Sequence, residues 1–156
     1  MSAVLAETPP LAVLERARRE ARAAGVSSYA GSVAPREAWA LALAGVAVLV
    51  DVRSAEERKF VGHVPGSEHV AWASGTSLTR NPRFLRELEA KAGRDRALLL
   101  LCRSGRRSVQ AAEAATRAGF ADVFNVLEGF EGEHNDALQR GAVNGWRLHG
   151  LPWVQD

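Results

Sequence analysis

Residues 46–50 (VAVLV) and Ala97–Leu101 (ALLLL) are five-residue runs that are apolar at every position and bounded by glycine or charged residues on at least one side. A strand with one wet face alternates apolar and polar residues, so an unbroken run of this length reads as a strand covered on both faces. The valines of the first run favour that reading, whereas the leucines of the second would also tolerate a helix. Residues 122–127 (DVFNVL) predict a further strand, residues 68–71 a brief one, and residues 28–32 a short extended piece. Between these lie stretches of helix formers. Residues 11–24 carry an apolar stripe of Leu11, Leu14, Ala17 and Ala21 and end at Gly25. Residues 35–44 begin with Pro35 in the first turn and close at Gly45. Ser54-x-x-Glu57 forms a capping box for a short helix to about Val61, followed by a turn-like Gly62-His63-Val64-Pro65-Gly66. Asn81-Pro82 opens a helix over residues 83–92, and residues 107–118 form another, stopped by Gly119. From Gly129 onward the pattern predicts a mixed region of helix and loop. Strands that alternate with helices, and are apolar throughout, define an α/β fold with a mostly parallel sheet.

With 156 residues there is room for one domain with a full core. The division expected is an N-terminal arm and helix over residues 1–25, the arm ending in Pro9-Pro10, and a domain over residues 26–156. Lys+Arg 20 against Asp+Glu 18 leaves a net charge of +2, without the clustered basic excess of a nucleic-acid-binding protein. The longest apolar stretch, residues 38–50, is broken by Gly45 and too short to cross a bilayer. The opening MSAVLAETPP lacks a basic segment followed by a long apolar run, so no secretory signal is expected. The expectation is a cytoplasmic protein with neither a nucleic-acid nor a membrane partner. A single cysteine, Cys102, rules out an intramolecular disulfide and a cysteine zinc cluster.

The chemistry gathers at that cysteine. Cys102 follows an apolar strand directly, then come Arg103-Ser104-Gly105-Arg106-Arg107-Ser108 and a helix. Ligand sites in open α/β sheets lie at the carboxyl ends of strands. Backbone N–H groups of a short glycine-containing loop and of a helix N-terminus can converge on an anion. Arg103, Arg106 and Arg107 add positive charge, and such surroundings favour a nucleophilic thiolate. A lone cysteine is more often a small buried hydrophobe. The arginines and the glycine beside this strand end reverse that balance.

Val50-Asp51-Val52-Arg53, then Gly62-His63-Val64-Pro65-Gly66, then Cys102-Arg103-Ser104-Gly105-Arg106-Arg107-Ser108 resemble the rhodanese-like domain family in order and spacing. The resemblance spans about residues 28–153, including the tail Gly145-Trp146-Arg147-Leu148-His149-Gly150-Leu151-Pro152-Trp153. It implies a sheet of about five mostly parallel strands flanked by helices on both faces, and a persulfide formed on Cys102. It also implies transfer of a sulfane sulfur from a small anionic donor such as thiosulfate to a thiophilic acceptor such as cyanide. No cofactor or metal is implied. Arg103, Ser104, Gly105, Arg106, Arg107 and Ser108 are the expected substrate-binding residues. Two departures stand out. The stretch from Arg53 to Gly62 is one residue longer than the commonest pattern, so no role carries over to Glu57 or Arg58. Gly129-Phe130 replaces a frequent Gly-Gly pair, a change expected to leave the loop untouched.

Phosphatases and arsenate reductases of this architecture resemble Cys-x5-Arg, with a loop that wraps a tetrahedral oxyanion. Here the last loop arginine gives Cys-x4-Arg, and the next position is Ser108. The smaller loop suits an outer sulfur atom and favours sulfur transfer. The alternatives are a persulfide carrier or docking module for a partner protein, and phosphatase or arsenate reductase chemistry. Asp51 and Arg53 either steady the field around the thiolate or form an ordinary pair at a strand-to-helix turn; they read as supporting residues. His63 reads as a turn residue hydrogen-bonding neighbouring backbone. Trp146 and Trp153 suit core packing or a pocket mouth.

Overall fold

The computed structural model describes residues 9–74 and 79–155; the arm expected at the N-terminus falls largely outside them. Helix α1 (Pro10–Ala23) starts with proline at its first position and is followed by β1 (Gly31–Val33) and α2 (Pro35–Leu43). Next come β2 (Ala47–Asp51), α3 (Ala55–Val61) and the two-residue β3 (Glu68–His69). A small ladder, β4 (Ala73–Ser74) with β5 (Thr79–Arg80), precedes α4 (Phe84–Ala92). The chain continues through β6 (Ala97–Leu101), α5 (Arg107–Arg117) and β7 (Asp122–Val126).

Five strands form one sheet in the order β1-β7-β6-β2-β3, and every pairing in it is parallel. The two apolar runs are central neighbours, with Val50 opposite Leu100 and Asp51 opposite Leu101. Alternate side chains of a strand point to opposite faces. Leu98, Leu100 and Cys102 therefore pack with Leu88 of α4 and Ala111, Ala112 and Ala115 of α5. Ala97, Leu99 and Leu101 pack on the other face with Leu14 and Ala17 of α1 and Ala38 and Leu41 of α2. Both faces are covered, which is why neither run alternates. Each of the four β6 leucines is fully buried, a gain of about 1.5–3 kcal/mol per side chain.

The structure departs from the sequence expectations at the margins. The first strand begins at Gly31 rather than at residue 28, and Leu11 of the predicted apolar stripe is 64% exposed. The β4–β5 ladder is antiparallel and was not foreseen. No helix occurs after residue 129 among the described residues; turns carry that segment back to an antiparallel bridge between His63 and Val154. Trp146 anchors it, fully buried, with its indole N–H donating to the Pro152 carbonyl at 2.9 Å and its ring edge-on to Trp39. No helix among the described residues is long and apolar enough to cross a membrane.

Candidate functional site

Cys102 stands immediately beyond β6, on the face that α4 and α5 cover, and is 1% exposed. The loop folds back so that the Gly105 N–H donates to Cys102 Sγ at 3.1 Å. Gly105 has φ +94°, a left-handed conformation that a side chain disfavours. Beyond the loop, α5 brings Ser108 Oγ to 3.2 Å from the sulfur, and the Ser108 hydroxyl donates to Asn125 Oδ1 of β7 at 2.5 Å. All three side chains are buried. A serine hydroxyl has one hydrogen and two lone pairs. While that hydrogen lies on Asn125, the Cys102 thiol can donate to Ser108; a sulfur anion requires the hydroxyl to turn towards it. Asn125 carried a readable signal, as a polar residue flanked by apolar ones inside a strand.

The loop is held from behind by the segment after β7. The Phe130 N–H donates to the Cys102 carbonyl at 2.8 Å, and the Glu131 and Gly132 N–H groups donate to the Arg103 carbonyl at 3.0 and 3.1 Å. Gly129 has φ +70°, and a Cβ there would stand 2.4 Å from the Arg103 carbonyl carbon. The expectation that Gly129-Phe130 leaves the loop untouched is therefore wrong. The sequence showed a changed pair but not that these two backbones pack together.

Charge around the loop is paired in an order the sequence did not disclose. Nη1 and Nη2 of Arg107 each donate to the Glu57 carboxylate at 2.7 Å, joining the end of the loop to α3. Burial would raise the Glu57 pKa, but the hydrogen bonds and charge of Arg107, aided by Ser54, hold it down from 4.5 to about 2. The hydrogen bonds to Glu57 outweigh burial at Arg107 as well and raise its pKa. Asp51 and Arg53 form a fully buried pair with contacts of 2.8–3.0 Å, and Arg58 adds a 3.0 Å contact to Asp51. Arg53 also donates to the Gly62 carbonyl at 2.7 Å, fixing the turn after α3. Neither residue has a hydrogen bond to Cys102. Their link to the loop is indirect, through the Arg53 guanidinium lying 4.2 Å from the ring centroid of Phe130. His69 Nε2–H donates to the Arg53 carbonyl at 2.8 Å, and burial lowers the His69 pKa. His63 exchanges backbone hydrogen bonds with Val154, while its ring Nδ1 is buried and unpaired.

A cleft of about 420 Å³ is lined by Arg103, Ser104, Arg106 and Arg107, four of the five residues that follow Cys102. Its other wall is Glu133, His134 and Arg140, from the segment without sequence periodicity. Arg103 and Arg106 are exposed, Ser104 and Arg107 half-buried. Arg140 donates to the Gly132 carbonyl at 2.7 Å; burial first, then the charge of Arg103, lowers its pKa. Nothing local in the sequence marked Arg140. Its place in the cleft comes from the path of the chain around Trp146.

A parallel sheet, with a cysteine at a central strand end enclosed by a loop that runs into a helix, defines an α/β protein with its candidate nucleophile at the carboxyl edge of the sheet. The chain belongs to the rhodanese-like domain family, which matches residues 34–136. The structure is similar to the crystal structure of Rv0390 from M. tuberculosis, with a TM-score of 0.74 and 44% identity, covering 82% of this chain and 99% of that one. Uncharacterized protein RP600 of Rickettsia prowazekii is 38% identical over 111 residues, 69% of this chain and 82% of that protein. Thiosulfate sulfurtransferase 16, chloroplastic, of Arabidopsis thaliana is 30% identical over 128 residues, 81% of this chain and 94% of that protein. Sulfurtransferases are thus among the relatives of this chain.

Proposed function

We propose that the protein is a sulfurtransferase that takes the sulfane sulfur of thiosulfate onto Cys102 and passes it to a thiophile such as cyanide. The observation that carries this reading is the setting of the Cys102 sulfur, buried between the Gly105 N–H and the Ser108 hydroxyl at the start of a loop whose Arg103, Arg106 and Arg107 line a cleft. In the first half-reaction the Cys102 thiolate attacks the outer sulfur of thiosulfate. A Cys102–sulfur bond forms, the sulfur–sulfur bond of thiosulfate breaks, and sulfite leaves with the bonding pair. In the second, cyanide attacks the outer sulfur, thiocyanate departs, and the thiolate returns. Arg103 and Arg106 draw the anionic donor to the loop. Gly105 places a backbone N–H at the sulfur, and the Ser108 hydroxyl supplies a second donor when it turns from Asn125 to the sulfur anion.

Phosphoryl transfer fits less well. Its loop arginine has to aim its guanidinium at a tetrahedral oxyanion, whereas Arg107 turns Nη1 and Nη2 to the Glu57 carboxylate instead. Incubation with thiosulfate and cyanide is expected to yield thiocyanate, no turnover of aryl phosphates, and loss of activity in Cys102→Ser, since a hydroxyl is a poor nucleophile at neutral pH. Cys102-dependent phosphate release without thiocyanate would overturn the proposal. Persulfide formation without cyanide turnover would favour the carrier reading, with a protein as sulfur acceptor.

A further inference from the structure

Asn125 is a costly residue for the place it occupies. It lies in β7 between two strands, opposite Ser32 of β1 and Leu100 of β6, and is 3% exposed. Asparagine is depleted in strands, and burying a carboxamide is unfavourable unless it is hydrogen-bonded. Its side chain shares a face with Val123, on the side where Cys102, α4 and α5 pack. There Oδ1 accepts from the Ser108 hydroxyl at 2.5 Å, and the same hydroxyl oxygen is 3.2 Å from Cys102 Sγ. Ser108 has one hydroxyl hydrogen, and an anionic sulfur is a second acceptor for it. Because all three side chains are buried, bulk water does not share these bonds. The other groups around the sulfur are fixed. The Gly105 N–H donates to it whichever way the hydroxyl points, and Arg107, a charged side chain whose field reaches it, is held on Glu57. The Ser108 hydrogen is the movable part of the site, and Asn125 holds it away from the sulfur.

We infer that Asn125 is a positioning residue for the reaction at Cys102: by holding the Ser108 hydrogen it favours the neutral thiol at rest, and it sets the cost of turning that hydrogen to Sγ when the sulfur is an anion. This deepens the sulfur-transfer reading and rests on it. Sγ carries the charge twice in that reaction. Before the donor is attacked, the thiol proton leaves to water, the Oγ–H···Oδ1 bond breaks and an Oγ–H···Sγ bond forms. When cyanide takes the outer sulfur, the electron pair of the broken sulfur–sulfur bond returns to Sγ, and the hydroxyl turns again. Asn125 has no hydrogen bond to the sulfur and acts through Ser108.

Two measurements on the full chain test this. The first is the ultraviolet absorbance of the Cys102 thiolate, titrated over the pH range in which each protein stays folded and corrected with the matching Cys102→Ala variant. Asn125→Leu, which removes the acceptor at similar volume, should raise the thiolate-to-thiol ratio about fivefold, a midpoint about 0.7 pH unit lower. In a Ser108→Ala background the same substitution should change the ratio by less than about twofold, because the effect runs through the hydroxyl. Asn125→Val, a residue that strands favour, carries the same expectation, so the test survives a leucine variant that fails to fold. The second is the discharge by cyanide of a persulfide preloaded on Cys102 from thiosulfate. It should be about two- to fivefold faster in Asn125→Leu, whose Ser108 hydrogen is already free for the departing thiolate. A midpoint equal to or above the parent's, a shift of the same size without the Ser108 hydroxyl, or discharge no faster than the parent's overturns the inference. A Ser108-dependent midpoint shift in a protein that forms no persulfide would instead sink the sulfur-transfer reading and leave the control of the thiol by Asn125 standing.

Discussion

Glu57 accepts from the Ser54 backbone at 3.1 Å while its two oxygens also receive Arg107, so one carboxylate caps α3 and ties down the end of the cysteine loop. Its pKa of about 2 lies below its ordinary 4.5, which sets the sign of its contribution. That stability is present in full above about pH 4.5 and is lost as the pH falls towards 2. His69, lowered by burial, acts in the same sense from its ordinary 6.5 downward, because the unfolded chain takes up that proton first. Glu57→Gln should cost about 1–3 kcal/mol at neutral pH. In urea unfolding followed against pH, the variant should lose the decline between 4.5 and 2 that the parent shows. An unchanged acid limb would mean that the pair contributes nothing. The capping half of this role was legible, since Ser54-x-x-Glu57 is a local pattern. The Arg107 half was not, because no local spacing reports that a capping carboxylate meets a guanidinium from a distant loop.

At the level of elements, the two central strands and the helices flanking them were readable because their patterns are long enough to carry a period. The runs at β2 and β6 predicted strands covered on both faces, and their side chains divide between the two cores accordingly. The β4–β5 ladder has two residues per strand, too few for alternation to register. The segment after β7 has no period because it is fixed by single contacts, the burial of Trp146 and the approach of Gly129 to the loop. That approach makes Gly129→Ala informative. The left-handed conformation alone should cost about 1–2 kcal/mol. The new Cβ would also have to displace the Arg103–Ser104 backbone, and a shift of about 1 Å at a reacting group can cost up to about a hundredfold in rate. Thermal unfolding and thiocyanate formation, measured on one preparation, should therefore both fall. Parent-like turnover in a destabilised variant would show that this contact supports the fold without setting the loop.

Across the whole molecule, a net charge of +2 conceals an uneven distribution. Four arginines line one cleft at the end of the sheet where Cys102 lies, while acids elsewhere are spent on capping and pairing. The total told against nucleic acid as a partner but could not reveal the cluster, because Arg140 joins the loop arginines only in the folded chain. The sheet supplies the other half of the arrangement, a rigid central strand that ends at the sulfur and a second face that anchors the loop through Phe130. In the proposed sulfur transfer this arrangement lets Cys102 hold the sulfur between donor and acceptor. Intact-mass measurement after incubation with thiosulfate tests it most directly. The parent should gain the mass of one sulfur atom and lose it on addition of cyanide or a reductant, while folded Cys102→Ser shows neither change. A parent that stays at its starting mass, or a Cys102→Ser variant that gains the same sulfur, would contradict the account.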